Sequence, residues 1–329
     1  FAENAKQNGA HFVSNTEVRG IEERKGYYLI KTNNGSIKAE FVINAAGLFS
    51  DEIAAMVHKI DWSFFMLKSQ YLVLENRGYL NHIVSGIPAL RMLPPMMPTP
   101  HGNILSSGAN ERITNKTDLD FSTTKEGLEL LSRTPQLYTP SISLKKDMIR
   151  SFSGVMHFNT RNPNDYLIEW PRERFLNLIV CAPGLGPAPA LAQETVKMLR
   201  DKGLDLVEKS DFNPYRHKEP RFIDLPTEEK NEKIRENPRY GHIICRCEKT
   251  CEQEVREAVK RGVKTLDEMK FEVKTGMGRC QGGFCTSRVL KIMSEELGLS
   301  PLELKQKGDD SYILKSTTKG LRQTTQSEV

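Results

Sequence analysis

The sequence predicts an α/β chain with α+β character, a mixed sheet in its middle and a small helical metal-binding domain near its end. Three observations predict it. Two apolar runs, Phe41-Val-Ile-Asn-Ala-Ala-Gly47 and Leu176-Asn-Leu-Ile-Val-Cys-Ala-Pro-Gly184, each pass through small residues into a helical pattern. Four cysteines, Cys245, Cys247, Cys280 and Cys285, sit among segments whose apolar residues recur at helical spacing. At 329 residues the chain exceeds the usual single-domain size, so more than one domain is expected.

Composition sets limits on function. Apolar residues make up 38% and charged residues 27%, and the formal charge of +5 is small for this length, with no Lys/Arg run that reads as a nucleic-acid patch. No apolar run reaches membrane-spanning length and no secretory leader opens the chain. Of six cysteines only Cys181 lies far from the cysteine-rich region, which argues against a disulfide framework and for a reducing cytoplasm. Phe1 to Gly9 reads as the last turns of a helix closed by a glycine, so the sequence is expected to begin inside a domain.

Taken in order, strands are expected at Ala10–Val13, Val18–Glu22 and Tyr27–Thr32, then, across the Asn33-Asn-Gly-Ser36 turn, from Ile37 to Val42. Leu48 to Met56 is expected as a helix capped by Ser50 or Asp51. Small residues at Ala45, Ala46 and Gly47 let the backbone approach a ligand with helix N–H groups facing it. Phe64 to Glu75 alternates as a strand, and His101-Gly-Asn-Ile-Leu-Ser-Ser-Gly108 turns into another. His101 is either a proton-transfer group or a solvated turn residue. Thr123 with Glu126 reads as a capping box for a helix. The strand ending near Cys181 meets Gly184, Leu185 and Gly186, and Pro187 suits the first turn of the helix that follows. Leu204 to Pro238, charged and holding four prolines, is expected as a linker.

The cysteines carry the sharpest signal. One residue separates Cys245 from Cys247, 32 separate the pairs and four separate Cys280 from Cys285, with Gly276, Gly278, Gly282 and Gly283 around the second pair. Glycine lets backbone N–H groups turn toward a buried anion. Four thiolates suit Zn2+ or an iron–sulfur cluster; the single-residue gap is shorter than zinc knuckles ordinarily use and favours iron–sulfur, with zinc as the alternative. Cys251, with three residues between it and Cys247, is either a replacement ligand or, as expected, an ordinary cysteine at a helix start.

On these residues the region resembles the bacterioferritin-associated-ferredoxin-like (BFD-like) [2Fe-2S] domain, in the variant fused to FAD-dependent glycerol-3-phosphate dehydrogenases. The free-standing ferredoxins have two residues between the last cysteines, whereas this sequence has four, as the fused variant does. Upstream, Val42 to Asp51 is similar to the second FAD-contacting segment of the D-amino-acid-oxidase-like flavoprotein superfamily. Thr16 to Ile21 resembles its adenine-contacting strand, which nominates Val18. The resemblance implies FAD held by Val18, Ala45, Ala46, Gly47, Gly184, Leu185 and Gly186, in an N-terminally partial FAD-dependent oxidoreductase fold. It implies an FAD and substrate domain over 1–205 with a mixed substrate sheet at about 63–170, a linker at 206–240, the cluster domain at 241–308 and a loose tail at 309–329.

The resemblance further implies hydride transfer from a small hydroxy substrate to FAD and onward electron flow to a partner subunit or quinone, which would draw the protein to the inner face of the membrane. The glycerol-3-phosphate enzymes place a phosphate-holding arginine where Met156 stands, which leaves Arg91, Arg150 or Arg161 as replacement cations. It also leaves 2-hydroxyglutarate or an amino acid as alternative substrates. A non-enzymatic electron-transfer module is the contrasting expectation.

Overall fold

The structure is a computed structural model describing residues 1–86, 94–116, 119–215, 220–308 and 310–320. By internal contacts the chain forms two units, one built from 1–71, 107–133 and 151–217, the other from 72–106, 134–150 and 218–329.

The first unit opens with helix α1 (Ala2–Gln7), after which Gly9 takes φ +91°, a conformation that favours glycine. Residues 10–13, expected as a strand, form none. Phe12 and Val13 point to solvent and no strand pairs with them among the described residues. Strands β1 (Val18–Arg24), β2 (Tyr27–Thr32) and β3 (Gly35–Ala39) form an antiparallel meander. Its second turn follows the Asn-Asn-Gly signal, with Gly35 at φ +122°. Strand β4 (Val42–Asn44) leads through a 3-10 turn at Gly47–Phe49 into α2 (Ser50–Ala55).

The expected side-chain cap of α2 is not made. The Ser50 hydroxyl is buried without a partner, and Asp51 instead accepts the N–H of Glu52 and pairs with Lys116. The 3-10 turn displaces the helix start by two residues, so the two polar side chains fall inside the helix rather than before it.

Strand β5 (Phe64–Glu75), β6 (Met96–Pro98), β7 (Asn103–Ile113) and β8 (Met148–Asn159) form a four-stranded sheet, order β6-β7-β5-β8, with β6 antiparallel to β7. Between β7 and β8 lie α3 (Lys125–Tyr138) and α4 (Leu144–Asp147). Helix α3 starts one residue later than a Thr123–Glu126 box requires: Thr124 Oγ1 accepts the Gly127 N–H at 3.1 Å, while the Thr123 hydroxyl meets Ser151. Strands β9 (Leu167–Arg172) and β10 (Phe175–Ile179) join β4 in a three-stranded sheet with β10 central, parallel to β4 and antiparallel to β9. Phe175, fully buried, packs with Ile21, Tyr28 and Val42, its ring 6.0 Å from that of Tyr28 edge to face. Helix α5 (Ala188–Asp201) follows.

In the second unit the stretch expected as linker carries elements of its own. Helix α6 (Thr227–Glu236) lies within it, and Phe222 and Leu225 bury against Cys251 with Ile234 and Tyr240. The prolines there punctuate short elements, and the scattered apolar residues supply one packed face. Strands β11 (Ile243–Cys245) and β12 (Thr250–Cys251) pair ahead of α7 (Glu252–Lys260), α8 (Leu266–Val273) and α9 (Thr286–Leu297), as helical spacing predicted. Val255, Met269, Val289 and Met293 form their common core. Arg256, 9% exposed, bonds Glu252, Glu295 and Glu296 and so ties α7 to α9. Part of the expected tail also packs: Tyr312 bridges to Lys305, and Ile313 lies on the helical core. Among the described residues no helix is long and apolar enough to cross a membrane.

Candidate functional site

The first site lies in unit one. Because β4 and β10 run parallel, with Val42 opposite Phe175 and Asn44 opposite Asn177, their carboxyl ends open side by side. In an open α/β sheet that edge is where ligands bind. One end continues into Ala45, Ala46 and Gly47, and the other into Gly184, Leu185 and Gly186. Ala45 and Ala46 are exposed. Gly47 holds φ +58° with no atom within 4 Å of where a Cβ would stand, and Leu185 is 89% exposed. Val18 on β1 packs against the cluster containing Val42 and Phe175. All seven cofactor positions expected from the sequence therefore belong to this unit.

Two buried asparagines fix the crevice. Asn44 Nδ2 donates to Ser50 O at 2.8 Å and to Asn177 Oδ1 at 2.9 Å, joining the end of β4 to the middle of β10 and to the start of α2. Sequence reading passed over them, although a polar amide inside each of two apolar runs was a signal. A second cluster also went unseen. Lys116 pairs with Asp51 and lies 3.7 Å from Glu52, with its ammonium over the rings of Phe64 (5.0 Å) and Phe49 (5.8 Å). His157 stands edge-on to Phe64 at 4.7 Å with its Nε2 buried and unpartnered. Burial, then the Lys116 charge, lower the His157 pKa and keep the ring neutral.

The cations nominated for a substrate anion are placed otherwise than the sequence suggested. Arg161 is engaged by Glu169 at 2.7 Å and by Asp61, and Arg91 lies outside the described residues. Arg150 lies in unit two, lining a cavity of about 70 Å3 with Lys270, Gly276 and Cys285. His101 is also in unit two and is not a solvated turn residue: its Nδ1 is 2.9 Å from Glu248 Oε1.

The second site gathers the four cysteines. Cys245 ends β11 and Cys285 stands just before α9, both buried, whereas Cys280 is half-buried and Cys247 exposed. The thiols act on one another in two pairs, Cys245 with Cys285 and Cys247 with Cys280. Among the described residues no three His, Cys, Asp or Glu side chains stand grouped tightly enough to hold a metal ion as they are. The hydrogen bond with Cys285, helped by the backbone N–H groups of Glu248, Gly276 and Cys247, holds the Cys245 thiol down to about 6. The same bond, with burial, pushes Cys285 up.

These residues fit a [2Fe-2S] cluster. The sulfur pairs supply four thiolates, and the Gly276 N–H faces both Cys245 and Cys285. Glycine is required for close approach at Gly278, where a Cβ would stand 2.3 Å from that of Cys247. Cys251 is apart from this set: fully buried, it precedes α7, with its N–H bonded to Glu254 at 2.9 Å.

Comparison with known proteins places the chain in two families. Residues 1–198 match the family described as FAD dependent oxidoreductase, and residues 243–295 match the BFD-like [2Fe-2S] binding domain. The chain is 35% identical over 326 residues to a glycerol 3-phosphate dehydrogenase of Caloramator mitchellensis, covering 97% of this chain and 67% of that protein. It is 29% identical over 222 residues to a glycerol 3-phosphate oxidase of Mycoplasma pneumoniae, covering 64% of this chain and 56% of that one. Among solved structures, the dithionite-reduced L-alpha-glycerophosphate oxidase of Mycoplasma pneumoniae with FAD bound superposes with a TM-score of 0.58 at 28% identity, covering 64% of this chain and 56% of that chain.

Proposed function

Because this chain belongs to the FAD-dependent oxidoreductase family and carries a BFD-like [2Fe-2S] domain, we propose that it takes part in oxidising a small hydroxy substrate of the glycerol 3-phosphate class. We propose further that the electrons leave through its cluster to a quinone or partner subunit at the inner face of the membrane. The observation that carries this reading is the crevice at the paired carboxyl ends of β4 and β10, found in the same chain as a four-cysteine site backed by N–H donors. The chain spans about two thirds or less of the relatives it matches, so the activity belongs to the whole protein.

Bound at the crevice, FAD would supply a two-electron acceptor for a C–H bond beside a hydroxyl, and the cluster a one-electron carrier. The chain's own part is to hold and orient. Ala45, Ala46 and Gly47 let backbone approach the dinucleotide, and the first turn of α5 presents N–H groups and partial positive charge beyond Gly186. Pro187 and Pro189 contribute no N–H there. His157, held neutral, with an unpartnered Nε2, is able to accept a hydrogen bond or a proton.

Arg161 is occupied by two carboxylates and Met156 replaces the phosphate-holding arginine, which together favour a second substrate reading, 2-hydroxyglutarate or an amino acid. Anaerobic addition of glycerol 3-phosphate, 2-hydroxyglutarate and amino acids to the full-length flavoprotein tests the choice. The reading expects glycerol 3-phosphate to bleach the flavin band fastest; bleaching by another of these compounds alone reassigns the substrate, and bleaching by none defeats the enzymatic reading.

A further inference from the structure

Unit two contains contacts that metal ligation does not require. The turn after β6 brings His101 Nδ1 to 2.9 Å from Oε1 of Glu248, the residue after Cys247. Two positions on, at the start of β7, Asn103 donates from Nδ2 to the carbonyl of Arg279, the residue before Cys280, at 2.9 Å. Arg279 in turn donates through Nε to Glu75, the last residue of β5, at 2.7 Å. One β-hairpin and one strand end thus hold both cysteine-bearing loops, each anchor one residue from a cysteine.

The anchored pair is the less buried one, Cys247 and Cys280. Both residues line a cavity of about 580 Å3 whose other walls include Glu75, Ile149, Arg279 and Phe284. Asn103 is 1% exposed and the side chains of Glu248 and Glu75 are 12% and 17% exposed, so the buried Asn103–Arg279 carbonyl bond and the His101–Glu248 contact are the firmer anchors, while the Arg279 side chain, 59% exposed, makes the outer one. Arg221 adds a further hold by donating to the Glu248 carbonyl. A charged, proline-bearing linker alone would describe a domain free to move on a tether, and these bonds describe the opposite.

We propose that the [2Fe-2S] domain is a fixed electron carrier, clamped to the ends of β5 and β7 through His101–Glu248, Asn103–Arg279 and Arg279–Glu75, rather than one that swings on its linker. His101, Asn103 and Glu75 are then positioning residues for the cluster loops. The proposal rests on the reading of the cluster as a carrier, and its test separates the two.

Hydrogen exchange and reduced-state EPR on the full-length protein, loaded with FAD and cluster, provide that test. In the wild type, amides of 246–249 and 279–283 exchange slowly. In the His101→Ala/Arg279→Gln double variant they exchange about tenfold faster or more, while α7 and α9 keep their protection. Restoring a donor with His101→Gln returns slow exchange at 246–249, a rescue that general destabilisation would not give. Asn103→Ala, examined separately, loosens 279–283, and each loosened variant broadens the EPR signal into more than one conformer. Exchange in the cysteine loops that is the same in wild type and variants, with the cluster in place, overturns the clamp. A protein that takes up no iron contradicts the carrier reading instead, and the exchange data then stand apart from it.

Discussion

Gly278 stands so close to Cys247 that a Cβ on it would lie 2.3 Å from the Cys247 Cβ and 2.9 Å from Glu248 Oε1. A contact this short against backbone-linked atoms forces a loop to shift, and that loop carries Cys280. We expect Gly278→Ala to lose most of the about two irons per chain that a [2Fe-2S] cluster contains, measured by iron content. Gly308→Ala, at a position with open space around it, should keep them.

Cys251 differs from its four neighbours in a way that pH exposes. Burial pushes its thiol up to about 12, above the roughly 8.5 of an unfolded cysteine. The folded state therefore holds its proton where the unfolded state has released it. The associated stability is present below about pH 8.5 and is lost as pH rises from there toward 12. Thermal unfolding of Cys251→Ala should fall less steeply over that range than the wild type, with iron content unchanged. Loss of iron in this variant would make Cys251 a ligand.

Asn44 and Asn177 bond to one another beside the crevice at the ends of β4 and β10. Replacing Asn44 by alanine takes its donor away from the Ser50 carbonyl and from Asn177 Oδ1, at a cost of about 1–3 kcal/mol. We expect Asn44→Ala to lower denaturation midpoints and to raise the Kd for FAD, read by flavin fluorescence, while the cluster is retained.

Periodicity reached much of this structure and missed particular parts for physical reasons. The cysteine-domain helices were legible because apolar residues such as Val255, Met269 and Val289 recur at 3.6-residue spacing on faces that share one core. The β4-to-α2 and β10-to-α5 passages were legible because small residues follow apolar runs. Ala10–Val13 misled because β-propensity supplies no partner strand. The Thr124 cap differed from the Thr123 expectation by one residue, the resolution at which adjacent threonines compete. His101 could not be placed from sequence: its partner Glu248 lies 147 positions away, and no local pattern encodes that distance. Lys116, Asp51 and His157 likewise meet only through the fold.

Entry of substrate electrons at the crevice of β4 and β10 and their exit through the four-cysteine site are tested most directly by anaerobic rapid-freeze EPR after mixing full-length holoprotein with glycerol 3-phosphate. The account predicts flavin bleaching followed by the signal of a reduced [2Fe-2S] cluster, with that signal lost in Cys247→Ser while bleaching persists. A bleached flavin beside a cluster that stays oxidised, yet is reduced by dithionite in the same sample, would contradict it.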